Sequence, residues 1–318
     1  MRGFDSHNEK GPVAALKKKI VIKGEKHHWW PEGLSKYWEN EEGLVHRIDF
    51  KGKVIPSSPK EFGQISDGHN ILFESESPWQ STIENYFDTP DRNMPTIVGW
   101  LASLKSEVKT ENTRVFLYLS QEREDDNLDA LRECIISLAV RSPKYRNEQN
   151  SFVEMLRGKL EKAESKRLIA ANIHQKYGTL VRNSKGIGKF AILFSEEFEF
   201  IFGDGFYSNI NAATEHLFGV KIVIFMTPHI AVVWSSPMDA YRYPKLILIK
   251  ADKEIVEIVN NSVHVYSKEY LFFRTQKPSL IEDFKFGEHR VYDYQTDPVY
   301  RLIDSLIPDK SRKRFGLF

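Results

Sequence analysis

Near residue 189 the spacing of apolar residues changes from that of a helix to that of a strand, and this change most constrains the fold. Upstream, Leu128, Leu131, Ile135 and Leu138 are spaced three, four and three apart. They form one stripe on a helix that ends before Pro143. Ser81 and Glu84 fit a capping box ahead of Tyr86 and Phe87. Ser151 and Glu154 fit a second one, opening a helix of about 25 residues that Gly158 weakens. The stretch around Pro90 and Pro95 predicts an interruption, followed by a helix over 96–107. Downstream, 190–194 and 198–202 flank a short polar break, with Phe198, Phe200 and Phe202 on one strand face. Residues 220–226 and 230–235 read as a hairpin around Pro228, and 245–250 as a further buried strand. Asp252 then caps a helix over 253–262. Near the other end, 43–55 alternates apolar and polar around Lys51-Gly52, a hairpin signal.

This order is α+β rather than alternating βαβ. It predicts an N-terminal β-hairpin segment, a central helical block over about 81–180, and a C-terminal antiparallel-rich β block over about 189–275 with a late helix. One α+β domain over 20–308 is expected, between a loose arm over 1–19 and a basic tail over 309–318.

The 318 residues suffice for a sizeable core, and 41% hydrophobic with 28% charged residues is a soluble composition. The net charge of +1 provides no global field toward nucleic acid or membrane, although local patches remain open. The single cysteine, Cys134, excludes an internal disulfide and a Cys-based zinc site. The sequence begins without an apolar signal core, and no apolar run approaches ~18 residues. A cytoplasmic protein with no membrane partner is the expectation.

Three segments carry candidate chemistry. The first is His27-His28-Trp29-Trp30-Pro31. Adjacent residues on a strand point to opposite faces, so one imidazole is expected to face a pocket while the other packs. Imidazole serves as base, acid or ligand near neutral pH. The bland alternative is a structural turn with Trp29 and Trp30 in the core. The second is Gly203-Asp204-Gly205 at a strand end. There a carboxylate can orient a histidine, bind a cation or act as a base, and the glycines let another segment approach. Otherwise Asp204 satisfies its own turn. The third is Arg141-Ser142-Pro143-Lys144-Tyr145-Arg146. Its arginines either clamp a phosphate or carboxylate or complement a helix C-terminus. Lys17-Lys18-Lys19 reads as a solvated approach to a strand or as a nucleic-acid contact. Asp67-Gly68-His69 reads as a loop. His174, His216, His229, His264 and His289 stand alone and read as structural.

Several scattered elements resemble the bacterial domain-of-unknown-function 4238 family. They are His27, His28, Pro31, Leu34, Tyr37 and Trp38, then the hairpin over 44–54. Further on come 81–101, then Arg141, Pro143 and Arg146, then Asp204, Pro228 and Asn260. Gly205-Phe206 departs from the family's usual pair after the aspartate. The resemblance spans about 27–275 and implies that His27, His28, Arg141 and Asp204 converge as a catalytic set. Trp30, Arg146 and Asn260 would bind substrate.

Such a set suits hydrolysis or transfer at a phosphate, with nucleic acid as the expected substrate. A nuclease-like hydrolase of the kind used in bacterial conflict is the leading expectation. The scarcity of clustered acids argues against a standard two-metal nuclease. The cofactor is left open, a divalent metal being one possibility. The alternatives are a non-catalytic module binding nucleic acid or a partner protein, with Trp29 and Trp30 stacking on bases, and a purely architectural signature.

Overall fold

A computed structural model of the chain describes residues 26–71, 81–108, 114–117, 122–210, 219–236, 246–285 and 298–306. The arm, Lys17–Lys19 and the basic tail lie outside them.

The first strands are β1 (Lys26–His28), β2 (Val45–Asp49), β3 (Val54–Ser57), β4 (Gln64–Ser66), β5 (Asn70–Ile71) and β6 (Ser81–Thr82), with the short helix α1 (Glu32–Ser35) after β1. The helical block holds α2 (Asp88–Leu104), the strand β7 (Arg114–Leu117), α3 (Glu122–Arg141), α4 (Pro143–Arg157) and α5 (Lys162–Asn183). Then come β8 (Lys189–Phe194), β9 (Phe202–Gly203), β10 (Lys221–Thr227), β11 (Ile230–Ser235), β12 (Leu246–Lys250), α6 (Lys253–Tyr266), β13 (Tyr270–Phe273), α7 (Glu282–Lys285) and α8 (Pro298–Leu306). The fold is mixed α+β, with a helical middle and C-terminal strands.

Two main sheets organise it. The order β10-β11-β8-β12-β7 makes a five-stranded sheet, antiparallel except where β12 runs parallel to β8. All residues of β8 and β11 are buried, which requires cover on both faces of the sheet. Helix α3 packs on β10, and α2 and α5 pack on α3. The second sheet has the order β3-β2-β13-β9. It joins the N-terminal hairpin to the C-terminal block, so the two β segments of the sequence meet in one sheet. In that hairpin the Asp49 carboxylate accepts from the amides of Lys51 (2.9 Å) and Lys53 (2.8 Å), which fixes the turn.

The core explains the two tryptophans. Trp30 stacks on Phe202 at 4.2 Å, Trp38 meets the same ring at 4.4 Å, and Phe62 packs edge-on against both Phe202 and Phe272. Both indoles are fully buried. Burying such rings stabilises by about 2–3 kcal/mol each relative to leaving them exposed.

Four expectations need correction. The prolines do not interrupt α2, which runs from Asp88 through Pro95. Pro90 lies in the first turn, where no helical N–H is needed, and its carbonyl accepts from the Cys134 thiol at 3.4 Å. Ser81 and Glu84 make no capping box: the short helical turn Glu84–Phe87 has Ile83 as its cap, without a side-chain bond. The helix expected from Ser151 is two helices. Its true cap is Ser142, whose hydroxyl accepts from the Tyr145 amide at 3.2 Å with Pro143 in the first position. Gly158, at φ +88°, ends α4 because only glycine takes that conformation cheaply. Residues 198–201 are not a strand. Their backbone is held instead by Asn260, which accepts from the Ile201 amide (3.0 Å) and donates to the Glu199 carbonyl (3.0 Å). The Leu128–Leu138 stripe, the hairpin over 220–235, the strand ending at Lys250 and the Asp252 cap of α6 stand as read.

Candidate functional site

The pleat separates the tandem histidines. His27 pairs with Ile65 and His28 with Gln64 across β1 and β4. His28 turns outward, its Nε2 facing the Lys60 carbonyl (3.1 Å) and the Gln64 amide (3.2 Å). His27 turns inward, and its ring centroid lies 5.1 Å from that of His69.

His69 is the centre of the site. Its Nδ1 bonds the Glu84 carboxylate. An ionised carboxylate only accepts, so Nδ1 carries the proton and Nε2 is left as the acceptor. Burial drives His69 down to about 3, against the raising effect of Glu84, and Arg146 and Arg141 push it the same way as burial. The imidazole is therefore neutral at physiological pH. Burial raises Glu84, but the bond from His69 and the charges of His69, His27 and Arg141 outweigh it, so its carboxyl lies below the usual range. Glu84 is the open end of the pair, 40% exposed against 1% for His69.

The turn that presents His69 is pinned from behind. Asp67 is left-handed at φ +52°, unusual for a residue with a side chain. Its carbonyl accepts from Lys166 on α5 (2.9 Å), and the next carbonyl, of Gly68, accepts from Arg146 Nη1 on α4 (2.6 Å). Arg146 also donates to the Arg141 carbonyl at 3.1 Å, and its Nη2 is buried with no acceptor among the described residues. Burial and the neighbouring Arg141 lower Arg146 to about 10. Arg141 is wholly buried, 4.6 Å over the Phe87 ring, and grips Asp91 bidentately at 2.6 and 2.9 Å. Its terminal N–H groups are thus committed to a carboxylate.

Asp204 faces elsewhere. Its two oxygens accept from the amides of Lys268 (2.9 Å) and Glu269 (3.0 Å). Burial raises its carboxyl to about 6, against the pull of those two amides. Only its backbone carbonyl approaches α4, accepting from the Lys144 amide at 3.2 Å. The structure therefore groups His27, Arg141 and Arg146 around His69 and Glu84. It sets His28, Asp204, Trp30 and Asn260 in hydrogen-bonding or packing positions outside that group. Glu84 was masked in the sequence by the capping-box pattern. His69 was masked by a DG turn signal, although a histidine beside a turn needing a left-handed residue is itself a pointer.

Among the described residues, no three His, Cys, Asp or Glu side chains gather as a metal site, and no helix is long and apolar enough to cross a membrane. Comparison with family models, with curated proteins and with solved structures finds no match. The family resemblance thus rests on the segments quoted from the sequence.

Proposed function

We propose that the chain is a hydrolase or transferase acting at a phosphate, with nucleic acid as the substrate class. The observation that supports this reading is the hydrogen-bonded His69–Glu84 pair with a second imidazole 5.1 Å away. Glu84 orients the ring, and Nε2 of the neutral His69 accepts the proton of the attacking water or hydroxyl. His27 gives a proton to the leaving oxygen. The buried guanidinium of Arg146, with the ammonium of Lys166 beside it, makes the surroundings cationic and favours an anionic substrate. The bound anion in turn raises the basicity of His69, offsetting the two arginines. Membership of the domain-of-unknown-function 4238 family belongs to the same proposal.

The test is hydrolysis of single-stranded RNA, single-stranded DNA and bis(p-nitrophenyl) phosphate by the full chain, with and without a chelator. His69→Gln is expected to lower kcat/KM by about 10²–10⁴ while far-UV dichroism stays unchanged. Wild-type turnover in that variant, or no turnover by the wild-type chain on any substrate, contradicts the reading.

A second reading, a protein-binding module, is favoured by one observation. Phe152, Met155 and Leu156 are 64%, 74% and 68% exposed at helical spacing on α4. It predicts partner capture that Met155→Glu abolishes, with no product formed from any phosphate ester.

A further inference from the structure

We infer that the open cleft beside Glu84 is a subsite for the base of a nucleotide-type ligand. The inference rests on the phosphate-directed reading above and names which part of the substrate binds where. The cleft has a volume of about 270 Å³. Its exposed lining is mostly apolar, with Ile71, Ile83 and Ala170 among the walls, and its polar members are Thr82, Tyr86, Arg167 and His174. A small apolar cavity with a few convergent polar groups is the usual form of a ligand site.

Three features select a base. Tyr86 is 45% exposed, although burying its ring would be favourable, and it stacks on His174 at 4.5 Å with 23° between the planes. A planar heterocycle extends such a stack without a sequence-specific hydrogen bond. Arg167 lines the same cleft and supplies positive charge for a phosphate attached to that base. The cleft is also tied to the acid–base pair. Thr82 and Ile83, both lining it, donate to the His69 carbonyl at 3.2 and 2.9 Å, and Glu84 follows them directly. A ligand seated on Tyr86 therefore lies against the segment that carries the exposed carboxylate. Read from the sequence alone, His174 stands as an isolated structural histidine. The fold gives it an aromatic partner from an element some ninety positions earlier in the chain.

The test is isothermal titration of the full chain with adenosine 5′-monophosphate, ribose 5-phosphate and a hexa-adenylate strand. The nucleotide is expected to bind at least tenfold more tightly than the base-free sugar phosphate. Tyr86→Ala and His174→Ala should each weaken it about tenfold, consistent with the loss of one stacking contact, while Tyr86→Trp restores binding. A hexamer binding tenfold more tightly than the mononucleotide assigns a strand as the natural ligand, and equal affinity assigns a free nucleotide. Either result supports the subsite. No nucleotide binding at millimolar concentration, or binding indifferent to both alanine variants, overturns it. Titration of His69→Gln separates the two readings. Nucleotide binding retained with hydrolysis unchanged removes the catalytic proposal and leaves the subsite. Hydrolysis lost in His69→Gln, together with binding indifferent to Tyr86→Ala, does the reverse.

Discussion

Gly205→Ala is expected to abolish cooperative folding. A Cβ at this position would lie 1.7 Å from the Tyr266 carbonyl oxygen and 2.5 Å from its carbonyl carbon. Both are backbone atoms at the end of α6, so no side-chain rotation relieves the overlap. Ser267 locks the same crossing, its hydroxyl donating to the Gly205 carbonyl at 2.9 Å. A shift large enough to admit the methyl group pulls Lys268 and Glu269 away from Asp204, leaving two amides and a buried carboxylate without partners. Each orphaned group costs about 1–3 kcal/mol, more for the charge, against a total stability of about 5–15 kcal/mol. Thermal melting followed by circular dichroism should show no cooperative transition. A melting temperature within a few degrees of wild type would show that α6 does not cross at Gly205.

Acid should reveal two opposed contributions to stability in the wild-type chain. His69 falls from 6.5 to about 3 on folding. Below pH 6.5 the unfolded chain takes up a proton there that the native chain refuses, so stability is lost as pH falls through this window. The slope approaches about 1.4 kcal/mol per pH unit. Asp204 rises from 3.8 to about 6. Between those values the native chain holds a proton that the unfolded chain releases, so stability increases as pH falls, with a similar slope. In Asp204→Asn the His69 contribution is no longer opposed by Asp204, and acidification from pH 6.5 to 4 should cost about 3 kcal/mol more than in wild type. In His69→Gln the Asp204 contribution is no longer opposed by His69, and the same acidification should stabilise by about 3 kcal/mol relative to wild type. Urea unfolding at pH 4, 5, 6 and 7 checks both. Unaltered slopes in both variants would show that neither group is shifted.

The architecture was legible where one element carries its own signal. The Leu128–Leu138 stripe, the Asp252 cap and the hairpin around Pro228 depend only on near neighbours in sequence. Two of the failures share a physical cause, a distant partner that takes over a local group. Residues 198–201 do not form a strand because Asn260 holds their backbone. Glu84 does not cap a helix because His69 takes its carboxylate. The site follows the same rule. The split of the tandem histidines between two faces was legible, though not that His27 is the inward one, and Arg146 was legible as one of a pair of arginines at a helix end. His69 was not, since its importance arises from α4 and α5 gripping the carbonyls of Asp67 and Gly68. The glycines around Asp204 were read as leaving room for another segment, and that segment is the connection from α6 to β13.

The most direct test of the account is the tautomer and charge of His69, read from its imidazole ¹⁵N shifts in the full chain between pH 4.5 and 8. A neutral ring protonated at Nδ1 is expected across the whole range, with the Nδ1 proton shifted downfield and that shift lost in Glu84→Gln. An imidazolium forming near pH 6.5, or a ring protonated at Nε2, would contradict it: Glu84 would not be orienting the ring, and His69 would have no free nitrogen to act as a base.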